Sequence, residues 1–211
     1  IHALNPYGFS HIRRTTHENV DLNRNFHDFS QPLPVNEGYR LVHPMLLPDV
    51  WPPDAANMAA IGQFMATHGE AAFQAAISRG QHEFPGGMFF GGTSPTWSNH
   101  TVRSVLRQHA SRCARLAWID IHTGLGPTGR LTVFQTANED EPAAELGRSW
   151  FPDYLYRADR DEEQATDTGL MGPGFDSWVA ASEDLVADTA AFVIEFGTHD
   201  PIQGVTVFRA D

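Results

Sequence analysis

Residues 190–196, AAFVIEF, form an apolar run broken by a single charge, Glu195. A run this short reads as a strongly apolar strand. An unpaired carboxylate inside it would cost several kcal/mol. Glu195 must therefore meet water, a metal or a cation, and a salt-bridged strand end would also satisfy it. Residues 116–121 read as a second strand. Its alternation sets Trp118, Asp120 and His122 toward one side and Ile119 and Ile121 toward the other, with His122 where the strand ends. A third strand covers 131–136. Between and around them lie helical patterns. Asp54 can cap a helix carrying Met58, Ile61 and Met65, and residues 70–78 place Phe73 and Ile77 at i,i+4. A longer helix starts at Ser98 with Val102, Val105, Leu106 and Cys113 as its packing stripe. A short one follows at 142–151, and another helical stretch with Trp178 opens at Gly172-Pro173-Gly174. Strands alternating with helices predict an α/β fold, a three-layer α/β/α sandwich around a mixed, largely parallel sheet.

Two segments interrupt this pattern. Six prolines between 30 and 53 predict an irregular surface excursion without regular helix, and residues 159–167 read as an acidic loop. Residues 80–97, GQHEFPGGMFFGGTSPTW, combine glycines with aromatic side chains. Such a loop suits backbone lying close to a ligand, and equally a loop pinned by aromatic plugs.

With 211 residues, 41% of them hydrophobic, the chain can bury one core, and a single domain over 1–211 is expected. A net charge of −12 with 14 Lys+Arg argues against nucleic acid as a partner. No apolar run reaches the roughly 18 residues of a membrane span, so no membrane partner is expected. One cysteine, Cys113, excludes a disulfide framework or a thiolate zinc cluster within the chain and favours a reducing, cytoplasmic setting.

The stretch from Asn5 to Phe26, NPYGFSHIRRTTHENVDLNRNF, sets amides beside guanidinium groups between turn residues. Asn5-Pro6 followed by Gly8 reads as a turn. Asn23 beside Arg24 is a pairing that suits a carboxylate, since the guanidinium fork matches two oxygens and the amide adds a donor. These residues, followed in order by Asp120-Ile121-His122-Thr123-Gly124 and Val193-Ile194-Glu195-Phe196-Gly197-Thr198, resemble the corresponding landmarks of the M14-type zinc carboxypeptidases. More narrowly they resemble a bacterial M14-like branch of the DUF2817 type, and the landmarks span nearly the whole chain.

The resemblance implies a zinc-dependent hydrolase of peptide or amide bonds, removing a C-terminal residue. It implies Glu195 as the general base that activates water, His122 as a zinc ligand, and Asn23 with Arg24 as the holders of the substrate's terminal carboxylate. One arginine of Arg13-Arg14 would stabilise the oxyanion, and Arg14 is preferred. Asp120, two residues before His122 on the same side of the strand, could orient the imidazole. The family's other two zinc ligands come from a His-x-x-Glu segment ahead of the Asn-Pro turn. None of the 11 histidines has Glu three residues later, so those ligands are expected upstream of Ile1, with this chain a fragment. The tyrosine that many carboxypeptidases place over the substrate is not evident before Asp176, where Thr166 and Thr168 stand; Tyr154 and Tyr156 lie earlier and could substitute only by loop movement. The implied substrate is a peptide. Alternatives are an N-acyl amino acid, cleaved by a deacylase of the succinylglutamate and aspartate amidohydrolase type, and a non-catalytic carboxylate-binding module. A serine or cysteine nucleophile hydrolase lacks a Gly-x-Ser-x-Gly elbow.

Overall fold

A computed structural model describes residues 3–124, 128–135, 142–155, 188–198 and 209. The acidic loop at 159–167, the helical stretch after Gly172 and the Thr166, Thr168 and Asp176 positions lie outside the described residues. The described residues up to Arg103 form one unit and those from Ser104 onward a second.

In the first unit the opening Asn-Pro is a helix start, which corrects the turn expected there. Asn5 accepts a hydrogen bond from the Gly8 N–H at 2.9 Å and caps α1, Pro6–His11. Proline at the first helical position needs no N–H partner and has its φ already set. Gly8 is required, because a Cβ there would stand 2.4 Å from the Arg13 carbonyl oxygen.

The proline-rich segment also contains a helix, α2, Glu37–Leu46, against the expectation of none. Asn36 caps it by accepting from the Tyr39 N–H at 2.9 Å, and Tyr39, Val42 and Leu46 are buried along one face. Pro44 falls near the end, where it forgoes only the bond to the Arg40 carbonyl. Burial of those three side chains, at about 1.5–3 kcal/mol each, outweighs that loss.

As expected, Asp54 caps α3, Ala55–His68, by accepting from the Asn57 N–H at 2.8 Å. Helix α4, Glu70–Ser78, buries Phe73, Ala76 and Ile77. It lies close against α2: a Cβ on Gly38 would sit 3.1 Å from that of Ala76. The Asn36 amide reaches across to the carbonyls of Ala76 and Gly80 at 2.9 and 2.8 Å. Helix α5 is Trp97–His109. Cys113 follows it beyond a short 3-10 turn and is exposed, not part of the packing stripe, because the α-helix ends before reaching it.

The second unit is built on a three-stranded mixed sheet of order β1-β3-β2. Strands β1, Arg115–Gly124, and β3, Asp188–Gly197, run parallel, while β2, Leu131–Gln135, pairs antiparallel with β3. The most apolar segment takes the central place, where Ala190, Ala191, Phe192 and Val193 are buried. Helix α6, Pro142–Trp150, packs on β3. Phe192 meets Trp150 and Phe151 at ring separations of 5.7 and 5.3 Å, over Val133 and Leu155. The alternation in β1 is as expected, with Ile119 and Ile121 exposed on one side. His122, however, lies inside the strand and not at its end, since pairing with β3 continues to Gly124.

The architecture is thus α/β with a mixed sheet, consistent with an α/β sandwich. Among the described residues no helix is long and apolar enough to cross a membrane.

Candidate functional site

The residues singled out from the sequence fall in two groups, one in each unit, and each group is described by itself. In the second unit, His122 and Glu195 are register partners across the parallel β1–β3 pair. Residues at paired positions carry their side chains to the same face. The His122 Nδ1 lies 3.4 Å from Glu195 Oε1, and its Nε2 lies 3.0 Å from Asp120 Oδ2. Asp120 reaches the ring because it is two residues earlier on the same side of β1.

Glu195 is the most enclosed of the three, its side chain 9% exposed against 19% for His122 and 41% for Asp120. Its second oxygen, Oε2, is buried and has no hydrogen-bond partner among the described residues. Burial pulls the His122 pKa down, but hydrogen bonds to Asp120 and Glu195 and the charges of both outweigh it. The net effect raises it from 6.5 to about 9. At neutral pH the ring is an imidazolium shared between two carboxylates.

In the first unit, Asp21 opens the 3-10 turn Leu22–Arg24 by accepting from the Asn23 N–H at 3.0 Å. Its other oxygen accepts from Arg14 Nε at 2.9 Å. Burial pushes the Asp21 pKa up, but the charges of Arg14 and Arg24 and the bonds from Arg14 and Asn23 hold it below the usual carboxylate value. Both guanidinium groups stand over the ring of Phe89, at 4.9 Å for Arg14 and 5.6 Å for Arg24.

Phe89 is held at φ 51, a left-handed conformation that bulky residues avoid. The Gln81 N–H bonds its carbonyl at 3.1 Å, and the Asp21 N–H bonds that of Phe90 at 2.8 Å. Arg24 donates through Nε and Nη2 to the Ser78 carbonyl, which fixes the fork to the end of α4. Further N–H groups on Nη1 and Nη2 remain for a ligand. The Asn23 side chain beside Arg24 is half-buried.

The turn itself is pinned by Asn25, which is fully buried. Its amide donates to the carbonyls of Gly91 and Ser94 at 2.8 and 3.0 Å and accepts from the Thr96 N–H and hydroxyl at 2.8 and 2.9 Å. Sequence reasoning passed over Asp21, Asn25 and Phe89 as site-builders. The available signals were the acid two places before Asn23 and the aromatic pair in the glycine-rich loop.

Zinc can be tested against the donors present. Among the described residues no three His, Cys, Asp or Glu side chains are arranged to hold a metal ion. His122, with Asp120 as its orienting carboxylate, could supply one ligand at most, whereas a catalytic zinc takes three from the protein. The described residues by themselves fall short of that site.

Comparison with curated proteins and with solved structures finds no match to the chain. A family model described as "Protein of unknown function (DUF2817)" matches residues 1–211. With a match over that whole length, the chain belongs to the DUF2817 family.

Proposed function

We propose that this chain is an amide-bond hydrolase of the M14 carboxypeptidase type, acting on peptides at a free C-terminus. The observation that carries the reading is Glu195: a buried carboxylate with one oxygen toward an imidazole and the other without a partner. A desolvated carboxylate with a free lone pair is suited to take a proton from water and return it to a leaving amine. Asp120 would hold the imidazole in place. In this reading Asn23 and Arg24 receive the terminal carboxylate, and Arg14, steadied by Asp21, has the role of stabilising the oxyanion. Zinc belongs to the reading as cofactor, with His122 one ligand and the others from outside the described residues. Bound there, it would acidify water and polarise the scissile carbonyl. The single, exposed Cys113 is consistent with a cytoplasmic setting.

The test compares a blocked dipeptide with N-acyl amino acids, with zinc supplied, using the wild-type chain and Glu195→Gln. Release of the C-terminal residue that disappears in the variant supports the proposal. Turnover of N-acyl amino acids alone assigns a deacylase instead. Binding of free C-termini without turnover of either substrate assigns a carboxylate-binding module.

A further inference from the structure

We infer that His27 and His82 form a second, separate site, for a divalent transition-metal ion of the zinc and copper class. The two imidazoles have ring centres 5.9 Å apart with planes inclined at 45°. With metal–nitrogen bonds of about 2.0–2.1 Å, two rings sharing one ion have centres roughly 5–6 Å apart. The pair sits within the first unit and is independent of His122.

The tautomer of His82 is set by its surroundings. Its Nδ1 lies 2.6 Å from the Gly92 carbonyl oxygen, an acceptor, so Nδ1 carries the proton. The lone pair of the neutral ring is then on Nε2. A backbone carbonyl fixing one nitrogen while the other stays basic is how metal-binding histidines are commonly held.

The partner ring has a nitrogen with nothing to do. His27 Nε2 is buried and has no hydrogen-bond partner among the described residues. Such an orphan is uncommon in a folded chain and calls for an occupant. Phe29 stands edge-on to both imidazoles, at 5.8 and 6.5 Å, and supplies an apolar wall.

The backbone is shaped to leave room for the rings. A Cβ on Gly91 would come within 2.3 Å of His82 Cε1 and 2.7 Å of the Arg24 carbonyl oxygen, so only glycine admits the ring. The same glycine admits the Arg24 carbonyl on one side and the His82 ring on the other. Imidazole nitrogens suit zinc, copper and nickel.

The experiment is a Zn2+ titration by calorimetry on chelator-stripped protein, paired with Cu2+-induced broadening of the histidine ring signals in NMR. The expected result is an ion that still binds in His122→Ala and is bound at least tenfold more weakly in both His27→Ala and His82→Asn. The rings of His27 and His82 should broaden first. His82→Asn places an amide donor where Nδ1 meets the Gly92 carbonyl and removes Nε2, and His27→Ala removes an Nε2 without a hydrogen-bond partner among the described residues, so the fold should persist in both. Unchanged affinity in His27→Ala, or complete loss of binding in His122→Ala, would overturn the inference. Because hydrolysis is read separately, failure here leaves the amide-hydrolase reading intact, and the reverse also holds.

Discussion

Arg14 and Asp21 are joined at 2.9 Å with unequal burial, the guanidinium 29% exposed and the carboxylate 3%. The acid is therefore the partner that cannot recover its lost hydration from solvent. Removing its charge while keeping its shape, as in Asp21→Asn, leaves Arg14 and Arg24 repelling one another. The expected loss is about 3 kcal/mol, the low end for stripping one partner from a buried pair, since Arg14 keeps contact with water. Because the folded pKa of Asp21 is depressed, its contribution is complete above about pH 4 and disappears as pH falls through the lowered value. Urea denaturation of wild type and variant across pH 2–7 checks both points: the difference between the two curves should shrink toward the acid end.

His122 gives the opposite sign. Its pKa is raised from 6.5 to about 9, so the stability it contributes is complete below about pH 6.5 and fades as pH rises through 9. In metal-free protein the His122 ring protons should titrate near 9 in NMR. Asp120→Asn should bring that midpoint down by about one unit or more. A wild-type midpoint near 6.5 would show that the two carboxylates do not hold the ring.

Glu195→Gln separates chemistry from folding. If Glu195 is the base, hydrolysis should fall by about 10²- to 10⁴-fold. The melting temperature should fall only modestly, because the substitution takes one of two carboxylates from the His122 imidazolium and Asp120 still holds the ring. Hydrolysis that survives in the folded variant would instead assign Glu195 a purely structural ion pair.

Asn25→Ala tests the anchor of the Asn23–Arg24 turn. It would strand the Gly91 and Ser94 carbonyls and the Thr96 N–H without their partner. The expected cost is about 3 kcal/mol by denaturant unfolding, since each buried group left unpaired costs about 1–3 kcal/mol. Asn25→Asp should be nearly as damaging, because a carboxylate cannot donate to the two carbonyls.

Much of this was legible in the sequence. Period-two alternation located Asp120 and His122 on one side of β1, and an apolar run broken only by Glu195 marked β3 as a strand. Asp54 and its helix followed from capping rules. What failed were boundaries decided by tertiary contacts. Composition treats the prolines around α2 as helix-breaking, yet one buried face and an Asn cap offset the single hydrogen bond lost at Pro44. Cys113 fits the helical period of the preceding residues, but the α-helix stops at His109. Site-building by Asp21, Asn25 and Phe89 depends on partners 66 to 71 positions away for Asn25, and local patterning carries no record of such distances.

The rung that joins His122 to Glu195 is a matter of counting residues along two parallel strands. Inserting or deleting one residue ahead of His122 within β1 would turn the imidazole to the far side of the sheet, and the same change ahead of Glu195 within β3 would turn the carboxylate. Natural drift and protein engineering alike should therefore find the interior of these two strands closed to any change in length.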